Sequence, residues 1–422
     1  MPTVNNGGLF LGLGLRPKPR RATFFVPGGN HETAHSRGPL DICLNEDRHD
    51  LGELKRESPS PEEGSMPNEQ SGASRVVGLL TVTLGFGMMA CSSGETPTEP
   101  AVGAGLAKVT VATYTAVDLS PLLVASAINP AGQVVGVSNT ADGGAHAVLW
   151  DKGVVTDLGT LGEKFSGASG INPAGQMVGS SQTPGGFYHA FLWAKGAMTD
   201  LGTLGGRFSL AAGINPSGQV VGTSEISGGS ETGSIFHAFL WSKGIMTDLG
   251  TLGGSVSQAA GINPAGQVVG WSATAGGPAH AFLWEKGVMT DLGTLGGPCC
   301  SYANGINVSG QVVGWTITAD GGNHAFLWSK GVMTDLGTLG GFSSAAAVNP
   351  AGQVVGMSVT AQGRTHAFLW EEGVMTDLGP LAGRCCSEAN GINPAGEVVG
   401  SSDFLPPEET DVPSHAVLWT RK

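Results

Sequence analysis

Basic residues are scarce in this chain. Its 422 residues include 21 Lys and Arg against 34 Asp and Glu, a formal net charge of −13. The imbalance persists over residues 91–422, with 12 Lys and Arg against 24 Asp and Glu. A nucleic-acid binder needs a basic footprint for phosphates, so that class is disfavoured. Docking on anionic lipid through a basic patch is disfavoured on the same ground. A membrane-spanning helix needs about 20 apolar residues, and the apolar run Val76–Ala90 has only 15. Clustered metal ligands are also lacking. The His of the chain recur singly, and the loops at 141–144 and 319–322 (Ala-Asp-Gly-Gly) carry too few carboxylates for calcium. No metal and no cofactor is implied.

Glycine is abundant, at 70 residues. Without a period that would suggest disorder. Here the glycines keep register with apolar runs, and the chain repeats one phrase seven times. It is close to N-P-A-G-Q-V-V-G-x-S followed by H-A-F-L-W-x-K-G-V-M-T-D-L-G-T-L-G-G. Its His falls at His146, His189, His237, His280, His324, His366 and His415, at spacings of 43, 48, 43, 44, 42 and 49. A period in this range marks repeated supersecondary units.

Each unit offers four short strands, here called a to d. In one copy these are Ala259–Asn263, Gln267–Ser272, His280–Trp284 and Val288–Gly293. Asn263-Pro264-Ala265-Gly266 reads as a turn between a and b, because Pro presets φ and Gly accepts a left-handed conformation. Glu285-Lys286-Gly287 reads as a hairpin between c and d. Strand c is apolar on both faces, with Phe282 and Trp284 opposite Ala281 and Leu283, so both faces must be covered. Sheets stacked around a ring meet that demand. The fold class is therefore all-β, a seven-bladed β-propeller of four-stranded antiparallel blades. A linear solenoid is the alternative.

The ends argue for a ring. The T-D-L aspartate occurs six times, at Asp157, Asp200, Asp248, Asp291, Asp335 and Asp377. The last His copy, at 414–419, has no strand d after it. The missing strand stands at the front, as Tyr114–Leu119 with Asp118. An early d and a late a–b–c would complete one blade from both termini.

The recurring His-Ala-Phe-Leu-Trp at 189–193, 237–241, 280–284, 324–328 and 366–370, with Val for Phe at 146–150 and 415–419, resembles the HAF repeat family of extracellular bacterial proteins. The resemblance covers about 110–422. It implies a secreted or surface-exposed protein and carries over no activity.

The N-terminal part has no repeat. Residues 1–65 read as disordered or as lying upstream of the true start at Met66. Residues 66–90 then read as a signal peptide. Ala90-Cys91-Ser92 resembles the lipobox of bacterial lipoproteins, which makes Cys91 the lipidation candidate. Residues 91–107 read as a tether and 108–422 as the propeller.

Every blade also carries Ser or Thr after Val-Gly-x (Ser138, Ser181, Ser224, Ser272, Thr316, Ser358, Ser402), a His and an Asp. That invites a Ser-His-Asp reading, but an active site is one asymmetric constellation, not seven copies. A structural His–Asp–hydroxyl network between blades fits better, and no catalytic residue is assigned. Four of six cysteines form two adjacent pairs, Cys299-Cys300 and Cys385-Cys386, in matching places. Export would make each a vicinal disulfide.

In a meander the a–b and c–d turns share one rim, and the b–c loops and d–a links share the other. The turns are nearly constant. The loops vary, from the compact Gln182–Tyr188 to the longer Glu225–Phe236 and Asp403–Ser414. The variable rim is the expected binding face. Candidates on it are Trp271 and Trp315 (where other blades carry smaller residues), Tyr302, Phe187, Tyr188 and Arg364. Aromatics on an exposed rim can stack on sugars or flat ligands. The loop carboxylates Glu225, Glu231, Asp403 and Asp411 have no obvious partners. The chain is thus expected to be an exported, lipid-anchored, monomeric binding or adhesion module for a glycan, a peptide or an envelope protein. A glycan lyase or hydrolase in the central channel is the alternative, and a purely structural role is a third.

Overall fold

Each repeat becomes one four-stranded sheet. The computed structural model describes residues 113–227, 234–403 and 414–422. The expectations for 1–65, 66–90, the tether, Met66 and Cys91 lie outside the described residues. So do Glu231, Asp411 and most of the two longer b–c loops.

The first strand, β1 (Tyr114–Asp118), precedes the first complete blade. Blade one is β2 (Val124–Ile128), β3 (Val134–Asn139), β4 (Ala145–Asp151) and β5 (Val154–Asp157). Blade two is β6 (Ser166–Ile171), β7 (Met177–Gln182), β8 (Tyr188–Ala194) and β9 (Ala197–Asp200). Blade three is β10 (Gly205–Ile214), β11 (Val220–Ile226), β12 (Phe236–Ser242) and β13 (Ile245–Asp248). Blade four is β14 (Gly253–Ile262), β15 (Val268–Thr274), β16 (Ala279–Glu285) and β17 (Val288–Asp291). Blade five is β18 (Gly296–Ile306), β19 (Val312–Thr318), β20 (Asn323–Ser329) and β21 (Val332–Asp335). Blade six is β22 (Gly340–Val348), β23 (Val354–Thr360), β24 (Thr365–Glu371) and β25 (Val374–Asp377). The last three strands are β26 (Cys386–Ile392), β27 (Val398–Asp403) and β28 (His415–Arg421), and β1 completes their sheet in the order β1-β28-β27-β26. The protein is a seven-bladed β-propeller, and its seventh blade is built from both ends of the described chain.

Strand a is longer than the sequence pattern indicates in blades three to six. The second half of T-L-G-G joins it, as where Gly253 pairs with Thr274 ahead of Ser257 with Ser272. A bulge follows at Ala259–Gly261. It drives the Gln258 carbonyl against Gly270, where an added Cβ would lie 1.9 Å from that oxygen. The Gly of Val-Val-Gly in each b strand (Met-Val-Gly in blade two) is therefore a steric requirement rather than a turn signal. In the c–d turn Lys286 (φ 50) and Gly287 (φ 89) are both left-handed, as a type I′ hairpin requires.

The two faces of strand c go to different neighbours. Phe282 and Trp284 pack with Val221 and Ala238 of blade three. Ala281 meets Phe326 of blade five, with Leu283 and Trp328 packed alongside. Bulky against small, repeated around the ring, gives seven similar inter-blade cores. Phe191, Phe239, Phe282, Phe326 and Phe368 are fully buried.

A second ring is polar. Each a–b turn Asn donates from Nδ2 to the carbonyl of the matching Asn in the next blade. The chain of bonds runs Asn129 to Asn172 (3.4 Å), Asn215 (3.1 Å), Asn263 (3.2 Å), Asn307 (3.2 Å), Asn349 (3.0 Å) and Asn393 (3.2 Å), and back to Asn129 (3.5 Å). Each Asn is at least nine-tenths buried, and its Oδ1 caps its own turn. No helix among the described residues is long and apolar enough to cross a membrane.

Candidate functional site on the loop rim

The repeated His and the T-D-L Asp meet where strand c begins and strand d ends. In all seven blades His Nδ1 lies 2.7–2.8 Å from an Asp Oδ2, including His415 with Asp118 across the seam. The pairs are His146–Asp157, His189–Asp200, His237–Asp248, His280–Asp291, His324–Asp335 and His366–Asp377, with His415–Asp118 the seventh. All seven of these Asp also accept a bond from the backbone N–H two residues on, as Asp291 does from Gly293 at 2.7 Å. They fix the sharp exit from strand d.

Two parts of the proposed network need correction. The pairs are not buried between blades: the His side chains are 17–27% exposed and the Asp side chains 41–55%. The hydroxyls also go elsewhere. Ser181, Ser224, Ser272, Ser358 and Ser402 each accept from a backbone N–H of the d–a link, as Leu252 N–H donates to Ser272 Oγ at 2.8 Å. Ser138 and Thr316 donate to backbone carbonyls. A Ser-His-Asp relay is therefore not assembled.

A second serine in strand a was missed by sequence reasoning. Ser257 donates to Gly250 O at 2.6 Å and accepts from Ala238 N–H at 2.9 Å, stitching blade four to blade three. Ser166, Ser209, Ser301, Ser343 and Ser387 do the same elsewhere. The signal was available: each stands six residues before the N-P-A-G or equivalent Asn.

What differs between blades is concentrated on the loop rim. Between blades four and five, Tyr302 stacks on Trp315 (ring centroids 4.4 Å, 15° between planes) and Trp271 tilts against Tyr302 at 5.5 Å. Trp271 Nε1–H donates to Gln258 Oε1 at 3.0 Å. Cys299, Cys300 and Ala279 complete the cluster. Trp315 is 6% and Tyr302 5% exposed. Those two therefore do not offer a free face, which corrects the expectation of exposed aromatics there. Only Trp271 is half-exposed. Burial pushes the Tyr302 hydroxyl well above its usual range, and Cys300 and Cys299 add to this.

Between blades two and three, Phe187 meets Phe208 edge-on at 5.3 Å, with the Arg207 guanidinium 5.9 Å above the Phe187 ring. This cation–π cluster was not foreseen beyond Phe187. Arg207 N–H donates to the Glu225 carboxylate at 2.6 Å, so Glu225 does have a partner. Tyr188 is half-buried, and burial raises its hydroxyl. Arg364 is exposed on its own short loop.

The third decorated place is blade seven. The vicinal disulfides expected at Cys299-Cys300 and Cys385-Cys386 are not formed in this structure: all four cysteines are free, with Cys385 and Cys386 Sγ 2.7 Å apart. Burial and the neighbouring Cys385 push the Cys386 thiol up to about 12. In both Cys-bearing blades the link carries one residue more than in blades two to four, and in blade five Cys300 takes it up at φ 57. Arg384 Nη1 donates to Ser402 O at 2.8 Å. Burial, with the Asp403 carboxylate second, raises the Glu388 carboxyl. Among the described residues no three His, Cys, Asp or Glu side chains converge as a metal-binding set.

No family model and no curated protein matches the chain. Several solved propellers are similar in shape. They include TolB from Acinetobacter baumannii (15% identity, 50% of this chain and 52% of that one, TM-score 0.37). The β-propeller domain of the Trilobed protease from Pyrococcus furiosus matches at 12% identity, over 60% and 83% of the chains, TM-score 0.45. An acylaminoacyl peptidase of Pyrococcus horikoshii matches at 12% identity, over 72% and 53%, TM-score 0.46. The matched part spans about half the length of the first and third. At these identities the likeness concerns shape alone.

Proposed function

We propose that this protein is an exported binding module that engages its ligand through the loop rim. One observation carries the reading. The seven His–Asp pairs and the Asn ring are spent on holding blades, while all blade-specific aromatic, basic and thiol chemistry stands on one rim. A rigid scaffold with uniform turns on one side and varied loops on the other is the arrangement binding proteins use. Half-exposed Trp271, braced by buried Tyr302 and Trp315, offers an apolar face to a sugar ring or a flat side chain. The His-Ala-Phe-Leu-Trp resemblance to the HAF repeat family and the lipobox-like Cys91 support an extracellular, lipid-anchored location.

Thermal-shift screening against glycans, peptides and divalent cations tests this. A bound ligand raises the melting temperature by mass action. The expected result is a shift that Trp271→Ala or Arg207→Ala abolishes. No shift with any class overturns the reading.

An enzyme acting on glycans is the second reading, favoured by the raised, half-buried carboxyl of Glu388 beside Asp403. Turnover of chromogenic glycosides that Glu388→Gln removes would replace the binding reading with this one.

A further inference from the structure

The turn rim has its own repeated surface. The first residue of the c–d turn is left-handed in each complete blade, where Gly, Asn or Asp would relieve the backbone. The chain instead carries Lys152, Lys195, Lys243, Lys286 and Lys330 there in blades one to five, and Glu372 in blade six, with φ of 50–53. Arg421 holds the matching place at the end of β28. Backbone geometry does not ask for these cations, so another demand does.

Two residues after this position comes an exposed apolar side chain, large in five blades and Ala197 in blade two. Val154 is 65% exposed, Ile245 68%, Val288 62% and Val332 64%, with Val374 at 39%. They stand on the outermost strands, and the half-buried Trp150, Trp193, Trp241, Trp284, Trp328 and Trp370 end strand c beside them. Long cations, β-branched apolar side chains and half-buried tryptophans on one rim are the composition of a surface that meets a lipid interface.

Charge is segregated the same way. The seven paired Asp, with Asp142, Glu163, Glu225, Asp320 and Asp403, all belong to the loop rim. The turn rim carries most of the cations and fewer carboxylates, namely Asp151, Glu285, Glu371, Glu372 and Glu397. Three of these are tied to neighbouring Gln side chains. The chain-wide negative charge thus conceals a rim that is not acidic. The described chain also begins on this rim, where Lys422 N–H donates to Thr113 O at 2.9 Å. The described chain therefore enters the propeller from the turn rim.

We propose that the turn rim docks on an anionic lipid surface, so that the loop rim points away from the membrane. The orientation rests on the lipid-anchor reading of Cys91; the docking surface itself does not. The test uses the full chain in a bacterial membrane fraction, labelled with an amine-reactive reagent. Lys243, Lys286 and Lys330 should label about fivefold less on the membrane than in detergent, relative to Lys164 on the loop rim. Equal labelling overturns the proposal. If Cys91→Ser does not change the membrane fraction, the anchor reading fails, and docking is then judged with vesicles. Sedimentation with phosphatidylcholine vesicles holding three-tenths phosphatidylglycerol should carry down the chain about tenfold better than neutral vesicles. Val288→Glu with Ile245→Glu and Val332→Glu should abolish this, and Lys243→Gln with Lys286→Gln and Lys330→Gln should weaken it. All six side chains of these two sets lie at the surface, so unchanged melting temperatures confirm folding. No sedimentation, or sedimentation that both triple variants retain, overturns the proposal.

Discussion

His415 and Asp118 stand 297 residues apart in the chain and meet at 2.7 Å. The contact joins the last strand to the first and repeats, across the seam, what each other blade does within itself. Around it β1 pairs with β28 over five residues, from Tyr114 with Arg421 to Asp118 with Val417. Behind it lie Leu119 and Leu122, almost completely buried.

The seam strand and the seam pair should differ in cost. Deleting 113–119 removes an outer strand and uncovers apolar surface at about 25 cal/mol per Å². A melting temperature lowered by more than ten degrees, or loss of a cooperative transition, is expected. Asp118→Ala removes a partly exposed pair and should cost about 1 kcal/mol or less in urea unfolding. If the deletion melts like the full chain, the ring does not depend on its closing strand.

The Asn ring predicts a larger effect from a smaller change. Asn263 Nδ2 donates to Gln267 Oε1 and Asn307 O, and its Oδ1 accepts from Ala265 and Gln267 N–H. Asn263→Ala leaves buried groups unpaired and should cost about 2–4 kcal/mol. Asn263→Asp keeps the acceptor but sets a charge against two oxygen acceptors. It should be worse than Ala at pH 7 and recover as the pH falls. Equal midpoints for both variants would show that the Asn acts only as a turn residue.

That ring also shows where the sequence stopped being legible. The period of the His, the alternation of Phe282, Trp284, Ala281 and Leu283, and the surplus strand at Tyr114 carried blade number, meander and closure. These are local patterns, and local patterns survive in a list of residues. Asn263 read as a turn former, because its second bond crosses to Asn307, 44 residues away. Ser272 reads as a partner of His280 because they share a blade, yet it bonds the d–a link. Trp315 and Tyr302 read as exposed rim residues because they stand near a variable loop. Their burial comes from stacking on each other across two strands of blade five, with Trp271 and Ala279 of blade four against them, and neither contact is local in the sequence.

Two carboxyls should give opposite pH arms. Burial raises the Asp118 carboxyl, but hydrogen bonds from Ser120 and His415 outweigh it and hold it below the usual range. A depressed folded pKa contributes stability that is lost as pH falls through that pKa. Glu388 is raised, by burial first and Asp403 second. Its native state binds the proton more tightly than the unfolded chain, so stability falls as pH rises from the ordinary carboxylate range through the folded pKa. Urea midpoints followed from pH 4 to 8 should lose this fall in Glu388→Gln. A fall that persists in the variant would place its origin in another group.

Trp271 and Trp315 occupy the same place in successive blades, but their exposures differ, and so should their mutants. Trp315 is covered by Tyr302 and the Cys299-Cys300 segment, so Trp315→Ala should cost about 3–5 kcal/mol whatever ligand is present. Trp271 is half-exposed and held by a single bond to Gln258, so Trp271→Ala should cost about 1–2 kcal/mol. Gln258→Leu, which frees the indole without removing it, separates packing from presentation. A ligand that stacks on Trp271 should lose affinity in Gln258→Leu while stability barely changes. If both Trp variants lose the same stability and Gln258→Leu leaves affinity untouched, the aromatic cluster is inter-blade packing and the ligand binds elsewhere on the rim, with Phe187 and Arg207 next in line.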